Sequence, residues 1–249
     1  MTQSQKHGFT WENDIRKNVF KINCESNNTD KYDIPYYKNK LNPNENISIK
    51  TTGSGNICGG DILRIYDYDF EKVNTIIVIE YNQEENKKVV KKIYEINYNK
   101  KCHKLFFGSI SRNEIRDYVN NIKNIPKNIK GNEAEFKYKV EKNSLQEKMG
   151  FLQINPKVDS KTQRRVQCSF NIKMFPKEFV KYESTVENPN IIRGKEINMS
   201  INSNKRKRGG NNKEYYSDIA RKNKKICCGF SKLNKSELID LLKSKNLIE

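Results

Sequence analysis

Apolar residues recur along this chain with two different spacings, and these spacings predict its helices and strands. Residues 10–20 are predicted as a short helix, because Thr10 can cap its start and apolar side chains recur every fourth residue. That stripe consists of Trp11, Ile15 and Val19. Runs rich in isoleucine, valine and tyrosine, separated by turn residues, then predict strands. They are ISIKTT (47–52), DILRIYDYDF (61–70), NTIIVIEYN (74–82), KKVVKKIYEINY (87–98) and HKLFFGSI (103–110).

The middle of the chain returns to helical signals before strand signals resume. Ser111 and Glu114 have the spacing of a capping box at the start of a helix, and Pro126 lies beyond its end. A second helix is predicted over residues 133–149, and strands follow within 151–158 and 164–172. This order predicts an α+β (mixed α/β) fold in which helices flank a central mixed β-sheet.

A change in composition after residue 201 divides the chain into three predicted parts. Residues 1–201 form the α/β domain, and the basic, glycine-rich residues 202–216 form a flexible linker. Residues 217–249 form a C-terminal helical segment, because Asn234 and Glu237 have the spacing of a capping box before an apolar run. That helix resembles the second half of a SAP-type DNA-binding motif, and docking on the main domain is the alternative.

The net charge indicates what kind of partner the protein has. Lysine and arginine number 48 against 30 aspartate and glutamate residues, which gives a formal net charge of +18. An excess of this size predicts a polyanionic partner, with nucleic acid as the first candidate, although an AT-biased genome also raises the lysine content. The longest clean apolar run, residues 75–79, is too short to cross a membrane, and no signal segment precedes the first helix. We therefore expect an intracellular protein with no membrane partner.

Cysteine and histidine usage narrows the chemistry. The 6 cysteines include no CxxC pair, so the sequence predicts neither a zinc site nor a disulfide framework. The 2 histidines, His7 and His103, are far apart and lack the neighbouring motifs of a histidine-based hydrolytic site. Any hydrolysis by this chain should therefore depend on carboxylates, a lysine and a divalent metal.

One constellation of charged residues has that composition. If residues 53–56 form a hairpin turn, Lys50 faces Gly59 and lies diagonally across from Asp61 on one side of the hairpin. Glu80 ends the next predicted strand, and Glu12 on the N-terminal helix supplies a third carboxylate. Oxygen ligands of this kind are those that Mg²⁺ prefers. The pattern predicts a metal site at Asp61 and Glu80, supported by Glu12.

An aspartate that starts one strand, a glutamate that ends the next and a glutamate on a preceding helix resemble the PD-(D/E)XK nuclease core. Several phrases between residues 7 and 201 are similar to restriction-endonuclease-like proteins of large DNA viruses. They are HGFTWEN, KYDIP, ISIKTTGSGNICGGDILRIY, LFFGSI, INPKVDSKTQRRVQCSF and ESTVENPNIIRG. The resemblance implies a restriction-endonuclease-like fold and Mg²⁺-dependent cleavage of phosphodiester bonds.

The chain departs from the PD-(D/E)XK pattern at two positions. Gly60 stands where the motif has proline, and Asn82, followed by Gln83, stands where it has lysine. Either amide could orient the attacking water, but neither carries a positive charge. Lys50 is the candidate replacement for the missing lysine, provided that the hairpin register is correct.

A basic and amide-rich stretch predicts contacts with DNA. Arginine can pair with guanine and glutamine with adenine through two hydrogen bonds, and lysines bind phosphates. An exposed basic strand edge that blocks aggregation is the alternative interpretation. The predicted contact residues are Lys157, Lys161, Gln163, Arg164, Arg165, Gln167, Arg193, Lys205, Arg206, Lys207 and Arg208.

These observations lead to one preferred function and two alternatives. The preferred function is a Mg²⁺-dependent endonuclease acting on double-stranded DNA, of the sequence-specific type II restriction kind. The alternatives are a non-catalytic DNA-binding protein on the same fold and an RNA-binding or RNA-processing factor. The sequence leaves a homodimer open.

Overall fold

The computed structural model describes residues 10–23, 30–126, 129, 131–158 and 164–202. The chain divides into two compact units, Met1–Ser203 and Asn204–Glu249, and every described residue lies in the first. The predicted linker after Asn202 and the predicted C-terminal helix lie outside the described residues.

Five helices and ten strands make up the described part of the first unit. Helix α1 is α-helical over residues 10–14 and continues as a π-helix, Ile15–Val19. The other helices are α2 (Ile62–Tyr66), α3 (Lys100–Phe107), α4 (Arg112–Asn124) and α5 (Gly131–Lys148). The strands are β1 (Glu45–Thr52), β2 (Asn56–Asp61), β3 (Val73–Gln83), β4 (Lys87–Asn97), β5 (Gln153–Lys157), β6 (Arg165–Asn171), β7 (Val180–Glu183), β8 (Ile191–Ile192), β9 (Lys195–Glu196) and β10 (Ser200–Asn202). Short 3₁₀ turns cover Tyr36–Lys38, Ile172–Met174 and Lys177–Phe179.

The strands form a large mixed sheet, a small antiparallel sheet and a two-stranded ribbon. The large sheet has the order β1-β3-β4-β10, with β7 also paired to β4. Strands β1 and β3 are parallel, and β3 and β4 are antiparallel. The small sheet has the order β2-β6-β5, and β8 pairs with β9. The predicted mixed sheet flanked by helices is confirmed at this level.

Side chains on both faces of the large sheet are buried. Along β3, Ile76 and Val78 belong to one apolar core, while Ile77 and Ile79 belong to the other. The first core lies between the large sheet, the small sheet and helices α2 to α5, and the second is closed by α1. This double coverage explains why β3 is a continuous apolar run instead of an alternating one.

Two predicted strands are wrong, because both segments are helical. Residues 61–70 contain α2, whose start is capped by the Asp61 side chain. Residues 103–110 fall mostly in α3, whose Asn99 side chain accepts a hydrogen bond from the Cys102 backbone amide at 2.9 Å. In both segments a side-chain oxygen caps the first turn, and this favours a helix over an extended strand.

Three predicted helices are confirmed, and so is the capping box of one of them, α4. Helix α1 buries Trp11, Ile15 and Val19 in the second core. The capping box at the start of α4 is present, with the Ser111 hydroxyl accepting from the Glu114 amide and the Glu114 carboxylate accepting from the Ser111 amide. Helix α5 covers most of the helix predicted over residues 133–149.

The predicted hairpin between residues 47–52 and 57–61 is also wrong. Strand β1 pairs with β3 in parallel, so Lys50 lies beside Val78, and β2 pairs with β6 in the other sheet. The Thr52 hydroxyl donates to the Asn56 carbonyl at 2.9 Å and accepts from the Gly55 amide at 3.0 Å. The glycine-rich loop therefore carries the chain from one sheet to the other.

Candidate functional site

A lysine and an aspartate form an ion pair at the edge of the large sheet. The Lys50 Nζ atom on β1 lies 3.3 Å from Asp33 Oδ2 and 3.1 Å from the Ile49 carbonyl oxygen. The same Asp33 oxygen accepts a hydrogen bond from the Ile49 amide at 2.5 Å. An antiparallel bridge between Ile34 and Ile47 holds the Asp33 segment against β1. Asp33 is thus positioned by backbone contacts and not only by its charge.

Glu12 brings a second carboxylate toward this pair. Helix α1 buries Trp11 and Ile15 in the second core, and the Trp11 indole nitrogen donates to the Asn198 carbonyl at 2.9 Å. These contacts fix the helix so that Glu12 is only 9% exposed. Its charge acts on Lys50. We therefore group Glu12, Asp33 and Lys50 as the candidate site.

The electrostatic environment keeps Lys50 charged. Burial by itself would lower the pKa of the ammonium group, but the nearby carboxylates of Asp33 and Glu12 act against burial, and the pKa is raised. Burial in turn raises the pKa of Tyr68, whose hydroxyl lies 2.8 Å from the Ser48 hydroxyl. Lys50 can therefore act as a fixed positive charge at neutral pH, and it is a poor general base.

Asp61, predicted as a metal ligand, lies in the small sheet. It ends β2, pairs with Gln167 on β6, and accepts a hydrogen bond from the Arg64 amide at 3.1 Å as the cap of α2. Because β1 and β2 are not paired, the predicted diagonal contact between Lys50 and Asp61 across a hairpin is wrong. Asp61 has a local structural role that the sequence did not predict.

Glu80, the other predicted ligand, is buried within the large sheet. Glu80 is 4% exposed, and its carboxylate oxygens accept from Lys91 Nζ at 3.0 Å and from the Tyr94 hydroxyl at 3.2 Å. The register of β3 and β4 shifts after Glu80, so Lys91 is the extra residue of a bulge. Burial and the Glu80 charge raise the pKa of Tyr94, so it stays a hydrogen-bond donor.

The two predicted metal ligands stand on different sheets. Glu80 shares a face of the large sheet with Lys50, because Thr52 pairs with Glu80 and Lys50 with Val78 in the parallel ladder. Asp61 belongs to the small sheet. Among the described residues, no group of three or more His, Cys, Asp or Glu side chains has the arrangement of a metal site. Convergence of Asp61 and Glu80 on one cation stays a prediction.

The two amides predicted to orient water lie near the end of the β3–β4 hairpin. The Gln83 side-chain amide donates to the Glu84 carbonyl at 2.6 Å and to the Lys87 carbonyl at 3.2 Å, which stabilises the turn. Asn82 is exposed and pairs with Val89 on β4. These turn contacts give Gln83 a structural role, and its role in orienting water stays a prediction.

Arg164 and Arg193, both predicted to contact DNA, are bound inside the fold. The Arg164 guanidinium donates to four backbone carbonyls, at distances between 2.8 and 3.1 Å. These carbonyls belong to Ile125, Pro126, Ile129 and Val158. Arg164 therefore connects the end of α4 to the end of β5, where its charge offsets the carbonyl dipoles.

Arg193 forms the centre of a buried ionic network. Its terminal nitrogens donate to the two Glu45 oxygens at 2.9 Å each, and its guanidinium also reaches Glu95 at 2.9 Å. Lys181 lies 3.7 Å from Glu45, and the Arg193 guanidinium lies 5.1 Å from the centre of the Phe20 ring. These contacts correct the prediction that Arg193 reaches a DNA duplex.

The remaining predicted DNA contacts share the outer face of the small sheet where they are described. Along β6, Val166 and Cys168 are buried, whereas Arg165 and Gln167 alternate with them and face outward. Lys157 on β5 pairs with Arg165 at one end of this face. Lys161, Gln163, Lys205, Arg206, Lys207 and Arg208 lie outside the described residues.

Asp33 is the residue of the candidate site that the sequence interpretation missed. It lies within the phrase KYDIP, seventeen positions before Lys50. A signal was available, because an aspartate followed by an isoleucine and a proline can start a short extended segment. The predicted hairpin placed Asp61, which follows Lys50 in the chain, beside it. In the structure the neighbouring carboxylate is Asp33, which precedes Lys50.

Comparison of this chain with protein-family models, curated proteins and solved structures finds no match. None of the helices within the described residues is long and apolar enough to span a membrane.

Proposed function

We propose that this protein is a divalent-metal-dependent endonuclease of DNA, and that Glu12, Asp33 and Lys50 form its catalytic site. One observation carries the proposal: the Lys50 ammonium lies 3.3 Å from the Asp33 carboxylate, within reach of the Glu12 charge. Lys50 and Glu12 are also predicted site residues from the sequence, and Asp33 takes the place of Asp61 as the carboxylate beside Lys50. The proposed site therefore consists of one lysine and two carboxylates.

The side chains of this site fit a hard divalent cation such as Mg²⁺. Within the described residues, the hydrogen bonds to the Asp33 side chain all end on Oδ2. Glu12, whose charge acts on Lys50, would supply the second carboxylate. Mg²⁺ is commonly held by one or two carboxylates together with substrate phosphates, so two carboxylates are enough. When bound, the metal would make a water more acidic and offset negative charge on the phosphate.

Lys50 would stabilise the negative charge that develops on the phosphate during attack. Its pKa is raised by the carboxylates of Asp33 and Glu12, so it enters the reaction already protonated. Removing one preorganised hydrogen-bond donor from a position of developing negative charge typically costs about 2.7–4 kcal/mol. The hydrogen bond from Lys50 to the Ile49 carbonyl holds the ammonium group close to β1.

The outer face of the small sheet is the proposed DNA-binding surface. Lys157 and Arg165 pair at one end of it, and Asn155 pairs with Gln167 in its middle. Cationic side chains bind phosphates, while glutamine and asparagine amides can read base edges in the major groove. The formal net charge of +18 supports a polyanionic ligand. Sequence-specific recognition of the type II restriction kind belongs to this proposal.

One observation favours a non-catalytic DNA-binding protein as the second candidate. In the PD-(D/E)XK pattern a carboxylate stands two residues before the lysine, and this chain has Ser48 at that distance from Lys50. Ser48 is 2% exposed and its hydroxyl is bound to Tyr68. A serine there supplies no negative charge, so a site that lacks one metal ligand would bind DNA without cutting it.

Cleavage of supercoiled plasmid DNA in Mg²⁺ tests the proposal. Asp33→Asn and Lys50→Met should each lower the cleavage rate at least about a hundredfold. Asp61→Asn is the matched control, since asparagine also caps helices and the fold is retained. Binding to the same DNA in EDTA should be similar for all three variants, and urea unfolding should show that each is folded.

The other outcomes are equally informative. Loss of cleavage in Asp61→Asn and Glu80→Gln, with Asp33→Asn active, would return the site to the carboxylates predicted from sequence. A wild-type protein that binds DNA with a steep salt dependence but never cleaves it would establish the non-catalytic alternative.

A further inference from the structure

A small cavity lies beside the segment that carries Asp33, and three tyrosines contribute to its lining. Its volume is about 210 Å³, and its walls include Tyr32, Tyr36 and Tyr37. This volume is below the roughly 300–1,000 Å³ of typical sites for drug-sized ligands. The cavity therefore suits a single planar ring system.

Two of these tyrosines are unusually exposed for aromatic residues. Tyr37 is 66% exposed and Tyr36 is 38% exposed. The 3₁₀ turn Tyr36–Lys38 holds them, and the Tyr36 amide donates to the buried Asn46 side chain at 2.8 Å. The two rings meet edge to face, with their centres 5.5 Å apart. Exposed rings on a fixed turn offer a surface for stacking.

Lysines surround the same rings. Lys72 Nζ lies 4.8 Å from the centre of the Tyr36 ring, and Lys38 Nζ lies 5.8 Å from that of Tyr37. Each ring has two faces, and an ammonium group covers one of them at most. Aromatic rings interleaved with cations are typical of sites that bind unpaired bases while lysines hold the phosphates.

Two carboxylates in the cavity wall indicate which part of a nucleotide would enter. Asp30 and Asp69 line the cavity, and Asp30 lies 3.6 Å from Lys38. Their negative charges would repel a phosphate group. A carboxylate accepts hydrogen bonds from exocyclic amino groups, as in its contact with cytosine. The cavity therefore fits an amino-bearing base and not the backbone.

The cavity is structurally connected to the candidate catalytic site. The Tyr32 ring lies 4.9 Å from that of Tyr68, whose hydroxyl meets Ser48 two residues before Lys50. Asp33 follows Tyr32 directly in the chain. A base held in the cavity would thus place its own nucleotide close to the Asp33–Lys50 pair.

We propose that this cavity binds an unpaired, amino-bearing base of DNA, stacked on the Tyr37 ring with the Tyr36 ring beside it. The inference rests on the proposed function in one respect, that the ligand is DNA. It adds that the protein takes a base out of the duplex or engages a single-stranded region next to the site. Unpairing a base is easiest at mismatches and in single strands, so these substrates should bind best.

Fluorescence of 2-aminopurine, a base with an exocyclic amino group, tests the proposal. The probe is placed in a single-stranded oligonucleotide and opposite a mismatch in a duplex, and titrations are carried out in EDTA. Binding should quench the fluorescence through stacking. Tyr37→Ala should weaken this binding about tenfold, because stacking on one aromatic ring typically contributes a factor of that order or more. Tyr37→Phe keeps the ring and should bind like the wild type.

Leu41→Ala is the control for loss of exposed apolar surface, because Leu41 is 54% exposed on the same segment. Equal effects of Tyr37→Ala and Leu41→Ala would overturn the proposal, and so would the absence of quenching when DNA is bound. Quenching by free 2-aminopurine nucleotide alone, without preference for the oligonucleotide, would reassign the cavity to mononucleotides and also overturn it.

The two proposals can fail independently of each other. Quenching in EDTA with no cleavage in Mg²⁺ would leave the base-binding cavity in place and remove the nuclease. Cleavage without quenching would do the reverse.

Discussion

Replacing Arg193 with methionine should destabilise the protein strongly, because Arg193 neutralises two buried carboxylates. The side chains of Glu45 and Glu95 are 4% and 8% exposed. The hydrogen bonds from Arg193 and Thr75 hold the pKa of Glu45 below its usual value, although burial alone would raise it. Removing one partner of a buried ion pair typically lowers the free energy of unfolding by about 3–5 kcal/mol. Methionine fills much of the same volume, so the change isolates the lost charge.

Urea unfolding monitored by circular dichroism measures this effect. With an m-value near 2 kcal/mol/M, a loss of about 4 kcal/mol lowers the unfolding midpoint by about 2 M. Lys195→Met removes the same charge from an exposed position two residues away, and its effect should stay within about 0.5 kcal/mol. Combining Arg193→Met with Glu45→Gln should cost less than the sum of the single changes, because the two residues are in contact.

The opposite result would restore the interpretation of Arg193 as a DNA contact. In that case Arg193→Met would unfold like the wild type, and the dependence of DNA affinity on salt would become shallower by about one unit of slope. Unfolding of Arg193→Met like that of the wild type would contradict the ionic network of Arg193, Glu45 and Glu95.

Three further predictions follow from other contacts. Arg164→Met should lower the free energy of unfolding by about 2–4 kcal/mol, since four carbonyls lose a charged donor, and urea titration measures it. Burial lowers the pKa of His103, so the unfolded chain binds a proton first and stability falls as pH drops below about 6.5; His103→Gln should flatten that slope in melts between pH 5 and 8. Lys157→Ala with Arg165→Ala should reduce the salt slope of DNA binding by about two.

Elements with complete local signals were predicted correctly from sequence. The capping box at Ser111 and Glu114 fixes the start of α4, and both of its hydrogen bonds are formed. Strand β4 was predicted over residues 87–98, which is close to its observed bounds, Lys87–Asn97. In such segments the pattern of the chain and its tertiary environment favour the same conformation.

Short apolar runs were the main source of error in secondary structure. Residues 62–66 and 102–107 contain apolar side chains that suit a strand as well as one side of a helix, and such runs are ambiguous by pattern alone. In both cases the decisive signal was the preceding polar residue, Asp61 or Asn99, whose side chain caps the helix. In both segments the capping residue, and not the apolar content, distinguishes the helix from a strand.

The partner of β1 could not be obtained from local sequence. The glycine-rich loop after Thr52 has the composition of a hairpin turn, yet β1 pairs with a strand that begins at Val73. Strand β3 is buried on both faces, and its backbone has hydrogen-bonding groups along both edges, which β1 and β4 satisfy. The chain between β1 and β3 leaves the large sheet and contributes β2 to the small one.

The pairing of β1 with β3 also affects which carboxylate could bind a cation near Lys50. Glu80 is held by Lys91 and Tyr94, and Asp61 caps a helix, so binding a cation there would require breaking contacts that stabilise the fold. The Asp33 side chain is 26% exposed, and its hydrogen bonds within the described chain involve one oxygen. A ligand bound at Oδ1 would not have to displace these contacts of Oδ2. Asp61 and Glu80 stabilise the fold through contacts that a cation would break. This difference, more than the sequence spacing, favours Asp33 as the carboxylate that acts beside Lys50.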